Sequence, residues 1–302
     1  MENNLYEIKA VSEKTGLSPL LIRAWENRYS VVSPKRTESN RRLYSEEDVN
    51  RLRLLKEATD NGYTISRISN LSTDKLMDLL QSIKNESTFT QNKSEYFLSE
   101  SLKAINNLNP KNLEKIFMNA SIELSQPHFI DNLIVPLIYK IGDMWKTGDL
   151  RISHEHFSTS IIKNFLLNII RNSHPQDNSP KIIITTPSGQ LHELGALIAA
   201  CVASFEGWNV VYLGPNLPAE EIASAVNKIN SKVISLSIVY PLDDEGLIEQ
   251  LRRLKSLLTS DIKILIGGRG SSSYANVINE IGAELIKDTT ELRLKLSNHR
   301  NI

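Results

Sequence analysis

Lys181 to Gly195 reads KIIITTPSGQLHELG, and the architecture of the C-terminal half follows from it. Ile182, Ile183, Ile184 and Thr185 form a continuous apolar, β-branched run, the pattern of a parallel strand buried on both faces. Pro187-Ser188-Gly189 makes a turn, and from Leu194 the run LGALIAACVASF has the spacing and length of a helix. His192 therefore falls in the loop at the carboxyl end of a strand. Open α/β sheets bind their ligands at that end. A lone histidine there is ordinarily no more than a solvated loop residue, so its meaning depends on its neighbours.

Outward from this stretch, strands and helices alternate to the end of the chain. NVVYLG, VISLSIVY, KILIGG and AELI read as strands, separated by helices over 218–229, 243–258 and 272–281. Five strands in strict alternation predict a doubly wound, flavodoxin-like (Rossmann-like) α/β domain over 178–302. No acidic cluster ends its first strand and no glycine-rich phosphate loop follows it. Response-regulator and nucleotide-binding versions of the fold are thereby disfavoured. The loops offer instead His192 with Gly195, Ser235 and Ser237 along the third strand, and Gly267-Gly268 ending the fourth.

Residues 94–177 carry helical periodicity and almost no strand signal. Four amphipathic segments, with Pro110 and Pro127 at helix starts and a break at Gly148, predict a four-helix bundle. Trp145 closes the third segment, and Glu155-His156 opens the fourth after nine intervening residues. On chemistry alone these are a core tryptophan and helix-start polar groups. His154 and His156, two apart, do not share a helix face and so do not suggest a metal site. The polar stretch NESTFTQNKSE predicts a linker over 81–93.

The first 80 residues have a different plan. Ala10, Val11 and Leu17 supply the apolar face of a short helix, Thr15-Gly16 a turn, and Ser18-Pro19 an N-cap with proline at the first position. The second helix sets Leu21, Ile22 and Trp25 at helical spacing, with Arg23 and Asn27 on another face. This is the helix-turn-helix plan, whose second helix enters a major groove. Lys35, Arg36, Arg41 and Arg42 then crowd a short loop ahead of Tyr44, as in a wing gripping phosphates. Ser45-Glu46-Glu47-Asp48 caps a third helix.

At 302 residues the chain has room for these three domains. Hydrophobic and charged fractions of 40% and 23% are those of a soluble globular protein, and no basic-then-apolar leader opens the chain. A cytoplasmic protein without a membrane partner is expected. A formal charge of zero requires any DNA binding to come from a local basic patch. Cys201 is the single cysteine, which excludes intramolecular disulfides and cysteine-cluster metal sites.

TGLSPLLIRAWENRY followed by RTESNRRLYSEEDVNRL resembles the DNA-binding domain of the MerR family of transcriptional regulators. The resemblance implies operator contacts from Arg23 and Tyr29, a wing formed by Lys35, Arg36, Arg41, Arg42 and Tyr44, and dimers on palindromic sites. The histidine, serine and glycine spacings of the sheet domain resemble the cobalamin-binding domain of methionine synthase and corrinoid proteins. There the loop histidine, here His192, coordinates cobalt from below. The nucleotide tail enters beside small residues, here Gly195, Ser235, Ser237, Gly267 and Gly268.

The three parts in this order resemble the light-sensing, adenosylcobalamin-dependent repressors of the CarH type. That resemblance implies that Trp145, Glu155 and His156 cover the upper face of the cofactor. It further implies that bound adenosylcobalamin (or methylcobalamin) governs assembly from dimer to tetramer on operator DNA, with no enzymatic activity. A corrinoid methyl carrier and a regulator using the fold without cofactor are the alternative readings. Two positions depart from the pattern. Gln190 replaces an acid two residues before the histidine, and its amide oxygen is expected to accept the imidazole N–H. Lys146 replaces the histidine that follows the tryptophan and binds cobalt after illumination; an ammonium has no lone pair to give.

Overall fold

The computed structural model describes residues 5–38, 40–240 and 244–300, which divide into two compact units meeting at Thr90/Gln91. In the first unit, β1 (Tyr6–Glu7) leads into α1 (Ile8–Thr15), and Gly16 in the left-handed region turns the chain toward α2 (Pro19–Tyr29). Ser18 caps α2 by accepting from the Leu21 N–H at 3.2 Å, as its position before proline predicts. A hairpin of β2 (Lys35–Arg36) and β3 (Arg42–Tyr44) follows. α3 (Glu46–Asp60) starts with a complete capping box between Ser45 and Asp48. A one-turn α4 (Ile65–Ile68) and the long α5 (Thr73–Asn106) complete the set.

The winged head carries a small sheet beside its helices. β1 joins the hairpin on the other side of β3, giving a small antiparallel sheet in the order β1-β3-β2. Strands of two or three residues leave no periodic signal, and β1 is revealed by the pairing of Tyr6 with Tyr44. The core gathers Val11, Ile22, Trp25, Tyr44, Val49, Leu52 and Leu55.

The segment expected as a linker, 81–93, is helical, part of the uninterrupted α5. It contains no proline or glycine, and polarity alone does not break a helix.

The second unit begins with the remainder of α5, then α6 (Pro110–Glu123). A one-turn α7 (Gln126–His128) runs through a widened π-helical turn (Phe129–Ile134) into α8 (Val135–Thr147). The wide turn lies just ahead of Pro136, whose ring would clash with the carbonyl four residues back in a regular helix. After Gly148 in the left-handed region, α9 (Ile152–Arg171) completes the bundle.

The sheet strands are β4 (Lys181–Thr185), β5 (Asn209–Tyr212), β6 (Val233–Ser237), β7 (Lys263–Gly267) and β8 (Glu284–Leu285). All pair in parallel in the order β5-β4-β6-β7-β8, the flavodoxin-like order expected. The intervening helices are α10 (Leu194–Phe205), α11 (Ala219–Ile229), α12 (Glu245–Leu257) and α13 (Ala275–Glu280), with α14 (Thr289–Asn298) last. One continuous core runs from the bundle through α10 onto one face of the sheet, joining Leu137 and Leu166 to Ile182, Val233 and Leu265. Asp131 in the wide turn takes hydrogen bonds from Thr289 Oγ1 (2.6 Å) and Arg293 Nη1 (2.8 Å), fastening the bundle to α14.

Candidate functional site

In the head, burial of Ile22 and Trp25 turns the opposite face of α2 outward, so Arg23, Asn27 and Arg28 are exposed. Tyr29 is half-buried beneath the Arg28 guanidinium, 5.5 Å from its ring centre. Lys35, Arg36 and Arg41 are exposed on the hairpin, where Arg36 Nη1 donates to Asn40 Oδ1 at 2.8 Å. The Arg41–Glu7 pair, 3.9 Å apart and mostly in solvent, costs little to break.

Arg42 and Tyr44 are placed differently from the other wing residues. Arg42 Nε sits 3.0 and 2.8 Å from the two carboxylate oxygens of Glu26, and Tyr44 OH donates to the same carboxylate at 3.3 Å. Tyr44 has no exposed surface. Burial and the Glu26 charge push its hydroxyl up to about 12, so it stays protonated and donating. These two side chains fix the hairpin against α2, whereas Lys35, Arg36 and Arg41 face outward. Arg51, which sequence reasoning missed, does similar work: its Nε and Nη2 donate to the carbonyls of Val31 (2.6 Å) and Ser69 (2.7 Å).

In the second unit, the loop after β4 is held from several sides. Thr186 Oγ1 donates to the Gln190 carbonyl and accepts from the Asn216 N–H at 2.8 Å. The Gly189 N–H donates to Asn216 Oδ1 at 2.8 Å, with Gly189 in the left-handed region. His192 follows this pinned turn and is exposed. Its neighbour Glu193 is anchored by Tyr212 OH and by Lys163 Nζ from α9, each at 2.5 Å. The histidine loop thus touches both the sheet and the bundle.

Gln190 does not do what its position suggests. Its Oε1 accepts from the backbone N–H groups of Val239 (2.8 Å) and Tyr240 (3.1 Å), fully buried, so the oxygen serves the loop after β6 and not the imidazole. Two N–H donors fix which end of the amide is oxygen, and the Nε2 end is enclosed without a partner.

Val233 and Leu265 face the core shared with α10 and the bundle, and side chains alternate along a strand. Ser235, Ser237 and Gly267 therefore line that same side toward the strand ends, with Ser237 opposite Gly267 in register. Gly195, at the start of α10, comes so close that a Cβ there would lie 2.5 Å from Ser237 Oγ. That hydroxyl is buried without a partner. A Cβ on Gly268, at φ +101°, would stand 2.3 Å from the Ile238 carbonyl. Gly195, Ser237, Gly267 and Gly268 thus lie where α10, β6 and β7 approach too closely for added side chains, with the Ser237 hydroxyl buried and without a partner, and Ser235 lies two positions earlier on the same side of β6.

α8 reaches the end of β7 as well. Arg269, directly after Gly268, lies 5.4 Å from the Tyr139 ring centre and 3.9 Å from Asp143, both on α8. Trp145, further along α8, is 49% exposed despite its apolar bulk. At the start of α9, His156 Nδ1 is 2.9 Å from Glu155 Oε2, and Thr159 Oγ1 donates to Glu155 Oε1 at 2.8 Å. No group of three or more His, Cys, Asp or Glu among the described residues could hold a metal ion by itself. Cys201 is buried against Leu166, its thiol pushed up to about 12 by burial, and is not a ligand. No helix among the described residues is long and apolar enough to cross a membrane.

Two observations fit a cobalamin: the buried Ser237 hydroxyl lacks a partner among glycines that keep side chains away from it, and the loop after β4 carries a solvent-facing imidazole, a good transition-metal donor.

Comparison with known proteins divides the chain in the same way. Residues 6–75 match the model of the MerR HTH family regulatory proteins, and residues 99–167 and 180–292 each match a B12 binding domain. The chain is 26% identical over 289 residues to the HTH-type transcriptional repressor CarH of Myxococcus xanthus, covering 95% of this chain and 96% of that protein. It is 23% identical over 290 residues to CarA of the same organism, covering 94% of each. The monomethylamine corrinoid protein of Methanosarcina barkeri shares the fold, with a TM-score of 0.53 at 18% identity over 68% of this chain and 99% of that one.

Proposed function

We propose that this chain, which joins a MerR helix-turn-helix domain to two B12-binding domains, is a transcriptional repressor whose grip on its operator is set by bound adenosylcobalamin. The observation that carries the reading is the group of Gly195, Ser235, Ser237, Gly267 and Gly268 together with exposed His192, in one chain with a winged DNA-binding head. His192 is the lower donor to cobalt, and Ser237 Oγ gains the partner it lacks. Trp145, Glu155 and His156 cover the opposite face. Arg23, Tyr29, Lys35, Arg36 and Arg41 contact the operator, with Arg42 and Tyr44 holding the wing in place. A methyl carrier would have no use for that head.

When bound, adenosylcobalamin supplies a Co–C bond that visible light cleaves. The residues of this chain turn its presence into a subunit arrangement. α8 and α9 meet the sheet domain through Arg269–Asp143 and Lys163–Glu193, and the wide turn ahead of α8 meets α14 through Asp131–Arg293. A group held between Trp145 and the strand ends fixes the bundle in one position. Its loss frees α8 and α9 to shift and breaks contacts between subunits. Fewer linked heads grip tandem operator sites less tightly, with no change in any single DNA contact.

The test is direct. Protein incubated in the dark with adenosylcobalamin and desalted should be coloured, and it should retard DNA from upstream of its own operon. Illumination should shift it to a smaller species in size-exclusion chromatography and release the DNA. Colourless protein sinks the cofactor reading, and an unretarded operator sinks the repressor reading. Colour with no effect of light leaves a sensor of the cofactor alone.

A further inference from the structure

We infer that Leu20 reads DNA sequence: its side chain packs on the C5-methyl group of a thymine in the major groove of the operator. The inference rests on the repressor reading above and adds to it a residue that selects which DNA is bound.

The position of Leu20 on α2 comes first. Proline at the first helical position and the Ser18 cap fix where the helix begins, and Leu20 is its second residue. At about 3.6 residues per turn, Ile22, Trp25 and Tyr29 fall on one side of α2. Ile22 and Trp25 are buried in the core of the head, and Tyr29 is half-buried against it. Leu20 stands across the helix from them, at the middle of the outward face, with Arg23, Ala24 and Asn27 around it. It is 78% exposed, more than any other large apolar side chain among the described residues.

An exposed leucine is common on protein surfaces and by itself signals nothing. The surroundings set this one apart. Arg23 and Arg28 are exposed on the same helix, and Lys35, Arg36 and Arg41 are exposed on the hairpin. These cations are complementary to phosphate. A ligand that suits both them and Leu20 is polyanionic and still offers a hydrocarbon group to the start of the helix. Duplex DNA meets that condition, because the base edges of its major groove display one kind of methyl group, that of thymine. The first residues of a recognition helix are the ones that reach base edges. Ala24, one turn further along the same face, is too small to hold Leu20 away from the bases. Arginine and asparagine hydrogen-bond purine edges, so Arg23 and Asn27 set polar readers beside the apolar one.

Uracil is the probe, because it is thymine without the methyl group and keeps the same hydrogen-bonding edge. Full-length protein loaded in the dark with adenosylcobalamin is titrated against the upstream duplex. It is then titrated against duplexes with uracil in place of each thymine in turn. At one thymine per half-site, the wild-type protein should bind the uracil duplex about fourfold more weakly, the worth of one buried methyl group. Leu20→Ala should bind the thymine duplex more weakly than wild type and no longer tell the two duplexes apart. Ile122→Ala, which trims a comparably exposed side chain on α6, should keep the wild-type ratio. Wild-type binding that no uracil weakens overturns the proposal, and so does full discrimination in Leu20→Ala. Should Leu20→Ala retard no duplex, Leu20→Gln, which keeps the length without the apolar end, takes its place with the same expected loss of discrimination. A wild-type protein that retards no thymine duplex counts instead against the repressor reading.

Discussion

Two groups of polar atoms in this chain face opposite fates. In the head, the Glu26 carboxylate lies among Arg42 Nε and Tyr44 OH, every strong partner present and turned inward. At the strand ends of the second unit, Ser237 Oγ and Gln190 Nε2 are just as enclosed, yet have no partner. An enclosed polar group without a partner costs stability, and most such groups in native proteins are satisfied. A knot that is satisfied already holds a shape. An enclosed hydroxyl among glycines, left without a partner, is where the polar group of a ligand would be satisfied.

This contrast sets how substitutions should behave. The largest effect is expected in the knot. Glu26→Ala strips the charge partner from half-buried Arg42 and the acceptor from Tyr44, and should destabilise the head by about 2–4 kcal/mol. Thermal and urea melts of the full chain should show the earlier transition, while cobalamin uptake in the second unit is retained. An unchanged melt would mean that Arg42 and Tyr44 are not what fixes the wing.

Next comes the site of that hydroxyl. Gly195→Val puts a branched side chain where even a Cβ would lie 2.5 Å from Ser237 Oγ. Cobalamin affinity should fall by about 100-fold or more, equivalent to about 2.7 kcal/mol, read by absorbance after desalting. Near-normal uptake would break the identification of this site with the nucleotide tail. The smallest effect separates the two regions most cleanly. Ser237→Ala removes an enclosed hydroxyl that has no partner in the protein, so stability should hold or rise by up to about 1 kcal/mol while cobalamin binding weakens. A clear loss of stability would show that the hydroxyl is already satisfied.

Much of the architecture could be read directly from the residues because its causes are local. The β-branched run at Ile182–Thr185, the Ser18-Pro19 cap and the Ser45–Asp48 capping box each depend on neighbours within a turn or two. His192 in a strand-end loop follows from the same local signals. Residues 81–93, whose polarity predicts a flexible linker, are helical because no residue there interrupts a helix, and the boundary between the two units falls within them.

What the sequence determined by itself is therefore the order of domains, the element types and which residue kinds stand at the strand ends and on the wing. Which polar atoms find partners was decided only by the tertiary structure. Arg42 meets Glu26 across 16 positions, and Gln190 meets Val239 across 49. Strand pleat, helix period and caps act over one or two turns and leave a pattern in the residues. Hydrogen-bond partnering is settled by packing between distant segments, so it separates a wing residue that faces DNA from one that braces the hairpin, and shows that Gln190 serves a backbone loop while His192 stands free.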